Sequence, residues 1–166
     1  MALGDIKIHD MGGLSVLPSR TYQVAASATL IQPGEPVRVE TAAGTATVIK
    51  FVDGDPTTST LQVVGVAASV STNTAAAAGT VEVYLPMPGQ VTWKAKAKTA
   101  STADTQSEID AKANDCIVLD LTSNDFTVDF AAVHANTNGI QVVGGDPLTQ
   151  EIYFQFRPIV TQGATA

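Results

Sequence analysis

Apolar and polar residues alternate along most of this chain with a period of two, which puts every second side chain on one face of a β-strand. Four short strand patterns follow one another between Ile31 and Leu85. They read Gly34-Glu35-Pro36-Val37-Arg38-Val39, Ala46-Thr47-Val48-Ile49, Leu61-Gln62-Val63-Val64-Gly65-Val66-Ala67 and Ala78-Gly79-Thr80-Val81-Glu82-Val83-Tyr84. Around the last of them Val81, Val83 and Leu85 fall on one face, and Thr80, Glu82 and Tyr84 on the other. Pro33-Gly34, Asp53-Gly54-Asp55-Pro56 and Pro86-Met87-Pro88-Gly89 interrupt the runs with residues that preset φ or tolerate a positive one. Strands at a spacing of about 8 to 12 residues predict an all-β barrel or sandwich.

The same period continues downstream. Val91 to Lys98 predicts a strand with Val91, Trp93, Ala95 and Ala97 on one side and Thr92, Lys94, Lys96 and Lys98 on the other. Ala100 to Ala113 carries Thr105 and Glu108 at capping-box spacing and predicts a short helix. Cys116–Leu121 and Phe126–Phe130 predict a hairpin across Thr122-Ser123-Asn124-Asp125. Ile140–Val143 and Ile152–Arg157 predict another across Gly144-Gly145-Asp146-Pro147, with Ile152, Phe154 and Phe156 together. Ala75 to Ala78 is too short to nucleate a helix alone and is read as loop.

Residues 1–24 carry Leu3, Ile6, Ile8, Leu14, Val16 and Leu17 with no sustained period. They are expected to form an extended arm able to lend backbone hydrogen bonds to a neighbour's sheet edge, or else a first strand of the chain's own sheet. The domain plan is therefore an arm (1–24), a β-barrel domain (25–99) and a C-terminal β extension (100–166) that has the option of sharing one core with it.

Composition narrows the function. The 166 residues include 45% hydrophobic but only 5% aromatic side chains, so alanine and valine supply most of the apolar surface. A formal net charge of -7 has the wrong sign for neutralising phosphates, which argues against nucleic acid as a partner. The single cysteine, Cys116, excludes an internal disulfide and a thiolate zinc cluster, and is expected to be a small buried hydrophobe. No run approaches the ~18 to 20 apolar residues of a bilayer span, so no membrane partner is expected. The first residues lack the design of a secretory signal, and synthesis in the cytoplasm of the producing cell is expected.

Candidate chemistry is sparse. There is no Gly-Lys dipeptide for a phosphate-binding loop and no Gly-x-Ser-x-Gly elbow, and the two histidines, His9 and His134, fall in a predicted arm and loop. Asp104, Glu108, Asp110, Asp115, Asp120, Asp125 and Asp129 form an acidic stretch that either serves as oxygen ligands or acid–base pairs, or simply lines turns and solvent faces. Asp53 and Asp55 raise the same question at a loop tip. Lys94, Lys96 and Lys98 make the one concentrated basic patch, which either docks on an acidic partner or guards an edge strand against aggregation. Trp93 beside them is a core residue or an interface anchor.

Three motifs between about residues 25 and 92 carry a resemblance. They are the glycine-proline turn feeding Val37-Arg38-Val39, the strand ending Val64-Gly65-Val66-Ala67, and the strand opening Ala78-Gly79-Thr80-Val81-Glu82-Val83. In this order they resemble the decoration, or cement, proteins that tailed bacteriophages bind to the outside of their capsids. The resemblance implies a small barrel or β-tulip-like core, no enzymatic activity and no cofactor. It also implies a virion location on the outer capsid surface, the major capsid protein as partner, and a homo-oligomer, with a trimer favoured. The expected contacts are Leu3, Ile6, Ile8, Leu14, Trp93, Lys94, Lys96 and Lys98. The chain beyond Lys98 lies outside the resemblance. A carbohydrate-binding or adhesive β-module would need several aromatics on one face, for which Tyr84, Trp93 and Tyr153 are few and dispersed. An enzyme would need two of the acids to converge in a pocket.

Overall fold

The computed structural model describes residues 6–40, 47–57, 63–122 and 124–158. Among them the chain is all-β apart from one short helix and one 3-10 turn. The strands in chain order are β1 (Lys7–Asp10), β2 (Ser19–Val24), β3 (Pro36–Val39), β4 (Val48–Lys50), β5 (Val63–Ala67) and β6 (Gly79–Tyr84). They continue as β7 (Thr92–Lys96), β8 (Cys116–Ile117), β9 (Leu119–Thr122), β10 (Asp125–Val128), β11 (Ile140–Asp146) and β12 (Glu151–Phe156). The helix α1 (Gln106–Ala111) lies between β7 and β8, and its capping box forms: the Thr105 hydroxyl accepts from Glu108 N while Thr105 N donates to the Glu108 carboxylate.

Two five-stranded antiparallel sheets and a two-stranded ribbon result. The first sheet has the order β1-β7-β12-β11-β8, the second β2-β6-β5-β3-β4, and β9 pairs with β10. The second sheet curls until its outer strands approach, and one parallel bridge joins Gln23 of β2 to Thr47 just before β4. With only three residues in β4, no ladder closes there among the described residues, so the all-β fold expected is present with this sheet as an open curl.

Each sheet encloses apolar side chains, and β5 is the wall between them. Val24, Ile31, Val37, Val48, Val64, Ala67, Val81 and Val83 pack inside the curl. Val63 and Val66 point the other way, into a larger core with Phe51, Trp93, Ile109, Phe126, Phe130, Ile140, Ile152, Phe154 and Phe156. A strand in unbroken alternation would put Val63 and Val66 on opposite faces. Here Val63 and Val66 share a core because the register slips in this stretch, between Val37 and Arg38 on the β3 side, next to Gly65 at φ 149°. That one-residue slip lets β5 serve both cores.

Three expectations are corrected. Residues 6–24 are not an arm: β1 pairs with β7 and β2 pairs along its whole length with β6, from Ser19↔Tyr84 to Val24↔Gly79. The chain crosses between sheets at residues 11–18 and 85–91, so β1 and β7 belong with the C-terminal strands and the boundary at residue 99 divides no structural unit. The two crossings touch, since a Cβ on Gly12 would lie 2.3 Å from the Gln90 carbonyl oxygen. Finally, β11 runs on through Gly144 to Asp146 because a bulge after Val142 restores the pairing with Tyr153, and the turn is formed by residues 147–150.

Candidate interaction surface

The residues expected to touch a capsid are for the most part committed to the chain's own fold. Leu3 lies outside the described residues. Ile6 is 3% exposed and its N–H donates to Gly34 O, which stitches the entry of β1 to the second sheet. Ile8, opposite Trp93 in the ladder, and Leu14 are half-buried against the larger core. Trp93 is 1% exposed, meets Phe156 edge-on at 6.1 Å between centroids, and donates from Nε1 to Pro86 O at 3.3 Å. It is therefore a core residue. An indole in such a place needs a hydrogen-bond acceptor, and the Pro-rich crossing supplies it.

The lysine stripe is corrected in the same way. β7 lies between β1 and β12, so it is no edge strand, and its lysines are partnered locally. Lys94 Nζ lies 2.8 Å from Glu151 Oε2, a hydrogen bond that raises the ammonium above its ordinary value. Lys96 Nζ donates to Thr149 O. Lys98 Nζ lies 2.5 Å from Asp120 Oδ1 and 3.9 Å from Asp129 Oδ2. Lys94 and Lys96 thus reach neighbouring points at the foot of the β11–β12 turn and Lys98 reaches Asp120 of β9, so each cation is committed to a partner within the chain.

The acids divide into small separate groups. Asp120 is buried; burial works to raise its carboxyl, but hydrogen bonds from Lys98 and Thr122 outweigh it and hold it below the usual carboxylate range. Asp55, also buried, accepts from Val52 N and lies 3.5 Å from Arg38 Nε, yet burial dominates and leaves its carboxyl raised. Asp104 is raised by the hydrogen bond it shares with Glu108 and then by that neighbour's charge. Both lie on the surface at the start of α1. Asp115 faces Lys112 and His134, whose Nδ1 accepts from Cys116 N. Among the described residues no three His, Cys, Asp or Glu side chains gather as a metal site. Cys116 is buried and unpaired.

The aromatics considered for sugar stacking are likewise separated. Tyr84 lines a groove between the sheets, Trp93 is internal, and Tyr153 stacks on His9 with centroids 3.7 Å apart.

The surface features that remain are apolar tips. Val16 is 75% exposed in the loop after β1, Val133 83% exposed in the loop before β11, and Leu148 89% exposed in the β11–β12 turn. The loop of Val133 is pinned beside β8: Ala135 N donates to Cys116 O, and Asn138 Nδ2 donates to both Cys116 O and Val133 O. Val133 and Leu148 carry no periodic signal. What marks Leu148 in sequence is an apolar residue stranded among turn formers, Gly144-Gly145-Asp146-Pro147-Leu148-Thr149. No helix among the described residues is long and apolar enough to cross a membrane. No protein-family model, no curated protein and no solved structure matches this chain.

Proposed function

We propose that this chain is a decoration protein of a tailed-phage head, one that binds the outer capsid surface and bridges adjacent subunits of the major capsid protein. The observation that carries the reading is the placement of Val16 and Val133. Val16 lies in the crossing that leaves β1, the edge strand on one side of the first sheet, for β2, and Val133 lies in the loop pinned to β8, the edge strand on the other side. Four strand spacings separate the two edges, roughly 19 Å. A bridging protein needs two contact points held apart by a stiff body, and here two packed cores with β5 as a common wall supply the stiffness. The resemblance of three sequence motifs to decoration proteins supports the same reading.

The mechanism is mass action. A ligand that binds only the assembled lattice stabilises it by RT ln(1 + [L]/Kd), about 2.7 kcal/mol per site at a hundredfold excess over Kd. Repeated over a shell, that offsets the outward push of packaged DNA. With Lys94 and Lys98 paired internally and a net charge of -7, the complementary capsid surface would be apolar and basic.

The test is co-sedimentation of the purified protein with capsids lacking it, together with the heat resistance of the complex. Micromolar binding that raises the disruption temperature, and that weakens in Val16→Asp and Val133→Asp, is expected. Particles that sediment without the protein at ten micromolar would sink the reading.

A further inference from the structure

The β11–β12 turn is held more firmly than its exposed position requires. Leu148 N and Thr149 Oγ1 donate to the two oxygens of Asp146, each at 2.9 Å. Gln150 Nε2 donates to Pro147 O at 2.8 Å and to Leu148 O at 3.3 Å, and Lys96 grips Thr149 O from β7. Gln150 itself takes a left-handed φ of 52°, a conformation that a side-chain-bearing residue keeps only when its surroundings enforce it. The outcome is a leucine fixed in place and almost wholly in solvent. A prearranged apolar anchor gives up little conformational freedom on docking.

A matching cavity opens across β7 from the turn. Ile6, Ile8, Pro33, Val66, Ala68 and Tyr84, together with Lys7, line an apolar groove of about 210 Å³. It is smaller than the ~300 to 1,000 Å³ of clefts for drug-sized ligands, and suits one inserted side chain. The register fixes the distance between groove and tip. Lys7 pairs with Lys94 in the middle of β7, and Glu151 at the foot of the turn pairs with Lys96 at its C-terminal end, so the two features lie one strand to either side of β7 and two residues apart along it. That is about 10 Å across the sheet. Charge also matches: Asp146 stands beside Leu148, and Lys7 is exposed with no ion pair among the described residues.

From these features we infer that the protein forms a two-fold dimer in which Leu148 of each copy enters the groove of the other, with Asp146 facing Lys7 of the partner subunit. Tip and groove on neighbouring strands form one patch, which makes the exchange reciprocal and closed; on opposite sides of the molecule they would propagate a filament.

Analytical ultracentrifugation of the full chain between 1 and about 100 micromolar reads this directly. A dimer is expected, and Leu148→Asp should raise its dissociation constant about a hundredfold or more, because two leucines per dimer lose their burial. Ala68→Phe, which fills the groove and leaves the tip intact, should do the same. Urea unfolding shows that each variant remains folded. In a Cys116→Ala background, the pair Leu148→Cys and Ala68→Cys should yield an oxidised dimer that reductant separates. A monomer throughout, a trimer, or a dimer indifferent to both Leu148→Asp and Ala68→Phe overturns the arrangement. No capsid enters these measurements, so self-association and decoration stand or fall separately.

Discussion

Gly65 lies so close to the carbonyl oxygen of Tyr84 that a Cβ built on it would stand 1.8 Å from that atom. The obstacle is backbone, and φ at Gly65 is 149°, outside the range that residues with a side chain adopt readily. Alanine here must push β5 away from β6 or undo the slip that lets Val63 and Val66 share one core while Val64 and Ala67 fill the other. Gly65→Ala should cost more than about 3 kcal/mol, read as a lowered urea midpoint. A loss below about 1 kcal/mol would mean that the wall between the cores is pliant.

Trp93 is the only tryptophan and it is internal, so its fluorescence reports on the larger core alone. Emission should be blue-shifted in the native protein, resist acrylamide quenching, and move to the red on unfolding. Trp93→Ala leaves a large void beside Phe156 and strands the Pro86 carbonyl, which should cost about 3 to 5 kcal/mol. A variant of undiminished stability that only lost a binding partner would return Trp93 to the role of surface anchor.

The β-period was legible wherever one face of a strand is buried and the other is not. Val81 and Val83 are buried on either side of an exposed Glu82, and along β7 and β12 buried residues alternate with half-buried ones. It was illegible at the extremes. β5 is buried on both faces and gives a continuous apolar run. β1 and β2 are mostly exposed and give no run at all; what holds them is backbone pairing with β7 and β6, which leaves no mark on side-chain pattern. Hence the expectation of an arm. The lysine spacing was read correctly as one face of a strand, but a local window could not reveal Glu151 or Asp120, whose positions depend on how distant strands pair. Only an unpaired apolar tip such as Leu148 announces itself locally, by being the wrong residue for its turn.

The Lys98–Asp120 pair should give stability a plateau with two shoulders. Asp120 is held below its ordinary value of 3.8, so its contribution is present above that value and is lost as pH falls through the folded-state value. Lys98 is raised above 10.5, chiefly by its hydrogen bond to Asp120, so its contribution is present below 10.5 and is lost as pH rises through the folded-state value. Asp120→Asn should therefore lower stability by about 1 to 2 kcal/mol at neutral pH, with the ammonium half in solvent limiting the loss. Its urea midpoint should converge with that of the unsubstituted protein as pH falls through the folded-state value, below 3.8. Curves that run parallel from pH 3 to 8 would show that the pair adds nothing through its charge.

Because β1 and β7 of the N-terminal part complete the sheet that β8, β11 and β12 form, a fragment of residues 1–99 would keep Trp93, Ala95 and Val66 but lose Phe154 and Phe156, which cover them. Such a fragment should aggregate or stay unfolded. For the same reason the intact chain should unfold in one step, with Trp93 emission and far-ultraviolet circular dichroism following a single curve and the amides of β2 and β6 exchanging no faster than those of β12. A soluble 1–99 fragment with native strand content, or a Trp93 transition that ends before the curled sheet melts, would divide the molecule near residue 99 after all. A stiff body is what a protein held between two larger neighbours requires, so the cooperativity of this unfolding bears on the bridging role as directly as on the fold.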